Sequence, residues 1–587
     1  MTNEEVQKRA EAYVNREKDE LFRKEVEELL ANRDWDELSD RFYTDLAFGT
    51  GGLRGVIGGG FNRMNSLTVQ RATQGLANYV LVEGRRGPDG IPSAVIAHDS
   101  RRYSEHFALQ TALVFAANGI RAYLFPELRP TPELSFAVRF LKASTGIVIT
   151  ASHNPPEYNG YKVYWDDGAQ IIPPHDAAII EEVREVKDNI KRTTKEEALE
   201  MELLVYLDKG MDDRYLEAVK RAACRYDLLE KQGKTLSVVY SPLHGTGAMM
   251  VERVFRELGV SVTTVPEQRE PDGEFPTVEF PNPEEEAALE MAINLGKKEQ
   301  ADLVMATDPD ADRLGIAVPE GDDFRLITGN QLGTLLVDYV LSARKELGTL
   351  PDKPAFVKTI VTTELQRRVA EHYGATVYDT LTGFKWIASV MRDLESEGGP
   401  TYVLGGEESY GYLIGTEVRD KDAVSAALLT AEMALYHVSQ GKTVLDRLND
   451  IYEEFGYFEE RTISTYFPGQ SGAKIMEEMM EGLRDNPPKA LGGIDVERLR
   501  DVRTGKTRKI PEGTAVEDIE LPKSNVLQFF LADGTVVSAR PSGTEPKIKF
   551  YISVPSDPGT PLEKARPDVR NRLKKIEEDI QSWIPKE

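Results

Sequence analysis

One pattern recurs three times in this chain and limits what it can fold into. Each repeat runs strand, helix, strand, helix, strand, and the third strand ends in a polar motif. In the first repeat, residues 94–98 read as a strand, 104–117 as a helix, 121–125 as a strand and 131–141 as a helix; the strand 145–150 then delivers Ser152. In the second, strands at 236–240, 260–265 and 301–306 alternate with helices and deliver Asp308-Pro-Asp310-Ala-Asp312-Arg313. In the third, strands at 355–361, 375–378 and 401–404 deliver Gly406-Glu407-Glu408-Ser409. Strands alternating with helices imply an α/β fold: three similar mixed α/β domains with mostly parallel sheets, each presenting its motif at the same sheet edge. The chain has 587 residues, and one core rarely serves beyond about 250–300, so several domains are expected. The last segment differs. Residues 526–538 read as a hairpin turning at Asp533-Gly534, which argues for a C-terminal α+β domain with antiparallel strands. The expected division is 1–208, 209–326, 327–455 and 456–587.

The three motifs carry chemistry at the carboxyl ends of strands, where open α/β sheets bind ligands. The β-branched run 145–150 reads as a buried strand emptying into a polar loop, with Asn154, Pro155, Pro156, Asn159 and Gly160 preventing its continuation. Ser152, flanked by His153 and followed by Lys162, could accept and hand on a phosphoryl group; the plain alternative is a capping serine in an Asn/Pro loop. Asp308, Asp310 and Asp312 alternate in a segment interrupted by Pro309, and hard oxygen ligands at this spacing suit Mg²⁺. A Ca²⁺ loop of the EF-hand type is rejected, because its sixth position needs Gly and its twelfth Glu, and here they are Arg313 and Pro319. Glu407 and Ser409 are placed to bind neighbouring hydroxyls of a sugar, or simply form a solvated turn. Arg540, Ser542, Gly543 and Thr544, joined by Lys549, form a candidate phosphate cradle, the alternative being a hairpin connection. Lys385 follows the second strand of the third repeat, and the glycines of 48–55 are expected to leave backbone N–H groups free around Arg54. His98, His244, His372 and His437 lack metal-ligand spacing, and Cys224 reads as a packing residue on a helix. No nucleophile elbow surrounds Ser152 and no Walker loop occurs, which weighs against hydrolase and ATPase readings.

Residues 4–45 are charged, with Leu21, Val26, Leu29, Leu30 and Leu38 at helical spacing, and predict surface helices packed on the first domain. The formal charge of -26 disfavours nucleic acid and anionic membrane surfaces as partners, so a site for a small anion needs its own Arg and Lys cluster. A polar N-terminus, no apolar span and a single cysteine lead to the expectation of a cytoplasmic protein.

TASHNPPEYNGYK at 150–162, DPDADR at 308–313, GEESYG at 406–411 and RPSGTEPKIKFY at 540–551 resemble, in order, the four motifs of the α-D-phosphohexomutase superfamily. The N-terminal extension with GTGGLRG and TGFKW looks like the branch holding long phosphoglucomutases and phosphopentomutases. The resemblance implies four domains around a central cleft and the interconversion of glucose 1-phosphate and glucose 6-phosphate, with phosphopentomutase, phosphomannomutase or a non-catalytic sugar-phosphate sensor as alternatives. It implies Ser152 as phosphorylated nucleophile, which with Asp308, Asp310 and Asp312 holds Mg²⁺, and glucose 1,6-bisphosphate as activator. Arg54 and Arg313 would stabilise the moving phosphoryl group, His153 and Lys162 assist proton movement or charge balance, and Lys385 meet the sugar. Glu407 and Ser409 would hold ring hydroxyls, and Arg540, Ser542, Gly543, Thr544 and Lys549 the other phosphate. The implied partners are small sugar phosphates, acting on a monomer or small homo-oligomer. Lys385 stands where bacterial phosphomannomutases place a histidine, which counts against mannose.

Overall fold

The acidic opening segment folds, in the computed structural model, into the helices Asn3–Arg16, Glu20–Asn32 and Trp35–Phe42, begun by side-chain caps from Thr2, Asp19 and Asp34. The structure describes residues 1–467, 469–542 and 547–584. Val6, Ala10, Tyr13, Val26, Leu38 and Phe42 make a small core beneath these helices. Phe22 instead enters the core of the first sheet, which is how the extension attaches as expected. Leu21, one of the expected inward residues, is 50% exposed. Phe22 and Val26 define the inward face, and the residue before Phe22 is turned about 100° away from it.

The chain divides into two units, Met1–Gly329 with Phe384–Ser439, and Asn330–Gly383 with Gln440–Glu587. In the first, β1 (Gly52–Val56), β2 (Ser93–His98), β3 (Arg121–Leu124), β4 (Thr145–Ile149), β5 (Tyr158–Trp165) and β6 (Leu204–Tyr206) form a sheet of order β1-β5-β4-β2-β3-β6. Its β4, β2, β3 and β6 run parallel, while β5 and β1 add antiparallel at one edge. A second sheet, from β7 (Ser237–Ser241), β8 (Ser261–Thr264), β9 (Leu303–Thr307), β10 (Leu314–Glu320) and β11 (Asp323–Ile327), repeats the plan in the order β11-β10-β9-β7-β8. The third repeat is divided: β12 (Pro354–Thr359) and β13 (Thr376–Thr380) pair in parallel within the second unit, whereas β14 (Thr401–Glu407) and β15 (Gly411–Ile414) form a hairpin in the first.

Local structure departs from expectation at three places. Asn159 and Gly160 lie in β5, because the chain turns at Pro155 to Tyr158 and doubles back on β4. Gly160 is where three backbones meet: a Cβ there would stand 2.4 Å from the Thr150 carbonyl oxygen and 2.9 Å from that of Leu53. Arg54 likewise sits in an edge strand, opposite Gly160, and not in a loop with free N–H groups. Cys224 occupies a bend between the helices Lys209–Lys220 and Tyr226–Gln232, with its N–H donated to Glu432.

The second unit carries an antiparallel sheet of β16 (Phe458–Tyr466), β17 (Ala490–Leu491), β18 (Ile494–Asp501), β19 (Lys506–Lys509), β20 (Ala515–Asp518), β21 (Leu527–Leu531), β22 (Val536–Pro541) and β23 (Lys547–Pro555). Its order is β16-β23-β22-β21-β18-β19-β20, with β17 on β18, and β21/β22 is the expected hairpin at Asp533-Gly534. Among the described residues no helix is long and apolar enough to cross a membrane.

In this unit the buried Lys358 ammonium lies 2.8 Å from Glu364 and 3.2 Å from Asp379. Burial pushes the Glu364 carboxyl up, but Lys358 and Arg367 outweigh it and hold the group at about 2, against 4.5 ordinarily. The stabilisation is therefore complete above pH 4.5 and is lost as pH falls through about 2. Urea midpoints measured across that window should fall with acid, and less steeply in Lys358→Met. Gly160→Ala should cost about 1–3 kcal/mol by overpacking, read as a lowered denaturation midpoint.

Candidate active site

Ser152 follows β4 by three residues and is held in a left-handed backbone conformation, φ 54°. Its N–H donates to Thr150 Oγ1 at 2.8 Å. Its carbonyl accepts from Arg101, whose guanidinium also donates to the carbonyls of Asn154, Pro155 (2.8 Å) and Tyr158 (3.0 Å). One buried arginine thus gathers the whole loop. Arg101 is itself paired with fully buried Asp99 at 3.3 Å and lies over the Phe275 ring.

The three aspartates lie between β9 and β10, all buried. Asp308 Oδ1 accepts from the N–H groups of Asp312 and Arg313, each at 3.0 Å, which curls the loop around one carboxylate. Thr131, at the start of the helix Thr131–Leu141, fixes Asp310 by donating its N–H to the carbonyl and its Oγ1 to Oδ2, both 2.9 Å. Oxygens of the three carboxylates converge within 4.8 Å of one another. Ser152 Oγ donates to Asp308 Oδ2 at 2.8 Å, so the motifs of the first and second sheets meet.

Cations surround this cluster. Lys162 Nζ, from β5, is 2.7 Å from Asp310 and 3.4 Å from Asp312. Lys421 Nζ is 3.1 Å from Asp312 and 3.1 Å from Asp420. Burial, then Asp310 and Asp312, pushes the Asp308 carboxyl well above the usual range. Burial also acts to raise Asp312, but Lys421 and Lys162 prevail and hold it below the usual range. The same contacts raise Lys162 against its burial, so it stays an ammonium ion. Among the described residues, Oδ1 of Asp310 and Oδ1 of Asp312 are buried without a hydrogen-bond partner. Two orphaned carboxylate oxygens beside a third carboxylate form a donor set for a hard divalent cation.

The remaining expected residues of the first unit gather nearby. His153 Nδ1 is 3.2 Å from Ser152 Oγ, and burial, with Arg313 and Arg54, draws its pKa well down, so the ring is neutral. Arg54 reaches Asn154 at 3.4 Å, and Arg313 is paired with Glu284. Lys385, in the first turn of the helix Phe384–Glu397, donates to the carbonyl (3.1 Å) and hydroxyl (3.2 Å) of Thr50; burial, opposed by Asp176, lowers its pKa. Glu407 ends β14 and acts electrostatically on Lys421 and Arg313. The loop carrying Ser409 is tied to the aspartate loop by the Leu314 N–H, which donates to the Tyr410 carbonyl at 3.0 Å. In the second unit, Arg540 on β22 stands opposite Lys549 on β23, and the Ser542 N–H donates to the Lys547 carbonyl at 2.7 Å. Gly543 and Thr544 lie outside the described residues.

Sequence reasoning missed Arg101, Thr131, Glu284 and Lys421. The last had a signal: Arg419-Asp-Lys-Asp422 is a charged run between an apolar hairpin and the apolar helix Ala423–Ser439, and all four side chains are buried.

Phosphoglucomutase/phosphomannomutase family descriptions match the chain in four segments: α/β/α domain I at residues 45–189, domain II at 213–321, domain III at 328–455 and the C-terminal domain at 496–560. A phosphoglucomutase from Staphylococcus saprophyticus is 37% identical over 514 residues, covering 87% of this chain and 90% of its own. A phosphopentomutase from Homo sapiens is 35% identical over 586 residues, covering 96% and 94%. In fold, the chain is similar to a putative phosphomannomutase from Thermus thermophilus (TM-score 0.66, 23% identity, 92% of this chain and 99% of that one). It is also similar to the open form of Paramecium parafusin (TM-score 0.68, 18% identity, 92% and 96%).

Arg101→Met leaves Asp99 buried and uncompensated, and should cost about 3–5 kcal/mol in denaturant unfolding. Adding Asp99→Asn should restore part of it, the signature of a coupled pair in a double-mutant cycle.

Proposed function

Because this chain belongs to the phosphoglucomutase/phosphomannomutase family and is a mutase of that superfamily, a phosphotransferase of the isomerase class, we propose that it interconverts glucose 1-phosphate and glucose 6-phosphate through a phosphoserine at Ser152 and a glucose 1,6-bisphosphate intermediate. The observation that carries the reading is the 2.8 Å contact between Ser152 Oγ and Asp308 within a buried aspartate cluster. Asp308, Asp310, Asp312 and an oxygen on Ser152 would hold Mg²⁺, which supplies positive charge to the phosphoryl group in transit. Domains at 1–208, 209–326, 327–455 and 456–587 belong to the same reading.

The chain's own residues account for the rest. Phosphoserine 152 gives its phosphoryl group to a sugar hydroxyl: the Oγ–P bond breaks with its electron pair on Oγ, a new bond forms between the sugar oxygen and phosphorus, and the hydroxyl proton is passed on so that Oγ ends as a free hydroxyl. Neutral His153, 3.2 Å from Oγ, suits a proton acceptor for the return step in which Ser152 takes a phosphoryl group, whereas Lys162, kept charged by Asp310 and Asp312, suits charge balance. Arg54, Arg313 and Lys421 add positive charge around the phosphoryl oxygens. Lys385, Glu407 and Ser409 take the sugar, and Arg540, Ser542, Gly543, Thr544 and Lys549 the phosphate that stays. After the bisphosphate turns end for end, its other phosphoryl group returns to Ser152, and glucose 1,6-bisphosphate serves as activator by charging the serine.

A second reading, phosphopentomutase, is favoured by the human relative, which matches over 96% of this chain. Phosphorus NMR of glucose 1-phosphate with Mg²⁺ and a trace of bisphosphate should show glucose 6-phosphate appearing without inorganic phosphate, and faster than ribose 1-phosphate reacts. Ser152→Ala should lower the rate by at least about 10⁴-fold. Net phosphate release, or an active Ser152→Ala enzyme, would sink the phosphoserine route; faster turnover of the pentose would shift the assignment to the second reading.

A further inference from the structure

A cavity of about 260 Å³ opens at the seam between the N-terminal helices and the core of the first sheet. Its walls come from both hydrophobic clusters: Phe61 and Leu67 from the helical side, Phe48, Leu53, Ala72 and Val183 from the sheet side. Its charged lining consists of Arg16, Arg71, Arg184 and Lys187 against a single carboxylate, Asp45. That balance runs opposite to a chain whose formal charge is -26. The cations have only weak partners: Arg16 is paired with Asp188 at 2.9 Å, Arg71 with Asp45 at 3.0 Å, and Arg184 with Glu181 at 3.4 Å, all at partly or largely exposed positions. Among the described residues, the buried Nε of Arg71 has no hydrogen-bond partner.

We propose that this cavity binds a small amphipathic anion, an aromatic or branched aliphatic body bearing one carboxylate or phosphate, with Arg71 and Arg16 taking the anion. An apolar cavity of about 150 Å³ is enough for a benzene ring, so about 260 Å³ accepts a ring with a short charged arm. The guanidinium groups supply the planar fork that carboxylates and phosphates match. Arg16 also lies 5.9 Å from the Phe61 ring centroid, so the aromatic wall and the cationic mouth are adjacent. The cavity is separate from the aspartate cluster but shares β1 with it: Leu53 lines the cavity, and the next residue, Arg54, reaches Asn154 in the serine loop.

The probe is 3-phenylpropionate, titrated calorimetrically into the full-length enzyme. One site per chain with a dissociation constant below about 1 mM is expected, unchanged by saturating glucose 1-phosphate. Arg71→Gln should weaken it at least about fivefold. Val183→Trp, which fills the cavity from a half-buried wall position, should remove it, with retained thermal stability confirming that the variant is folded. Hydrogen exchange should slow at residues 46–53 and 180–187 when the probe binds. No binding at about 10 mM, displacement by glucose 1-phosphate, protection elsewhere, or unchanged affinity in Arg71→Gln would each overturn the proposal.

Discussion

Three carboxylates buried within 4.8 Å of one another repel strongly, and an interior with little water cannot screen them. The rest of the first unit is arranged to balance that charge. Lys162 comes from the strand that doubles back after the serine loop, Lys421 from the segment after the third repeat's hairpin, and Arg313 from the aspartate loop itself. Even so, the balance is incomplete: among the described residues Oδ1 of Asp310 and Oδ1 of Asp312 have no hydrogen-bond partner, and Asp308 is driven towards protonation. An interior that holds such a cluster is poised to take up further positive charge.

Precision in placing Ser152 comes from different residues. Between β4 and β5 the carbonyls of Ser152, Asn154 and Pro155, and that of Tyr158 where β5 begins, accept from one guanidinium, that of Arg101, locked in turn by Asp99. Thr131 does the same for Asp310, using both backbone and side chain. These contacts explain how a serine and a carboxylate from separate sheets can be brought to hydrogen-bonding distance by loops.

Much of the design was legible in the sequence because it rests on local patterns. The helices 104–117 and 131–141 match the helices found, since the strands on either side mark them off. Ser152 and the alternating aspartates stood out by residue type and by position after apolar strands, and the structure brings them to hydrogen-bonding distance. Arg101 and Lys421 did not stand out, because an arginine or lysine in a polar stretch usually faces water, and its burial is decided by contacts with residues far along the chain. Asn159 and Gly160 misled for a related reason. They read as breakers, but close approach of neighbouring strands makes a glycine necessary inside β5.

The first unit is discontinuous, being closed by Phe384–Ser439 after an excursion of the chain into the second. Asp312 therefore leaves the ribosome well before Lys421, the ammonium that offsets it. A nascent chain that has completed both of its first sheets still holds an acidic centre lacking a principal counterion, and domains that emerge first tend to fold first. Final consolidation of this half must await the late segment, which ties the timing of maturation to residues that the early sheets do not contain.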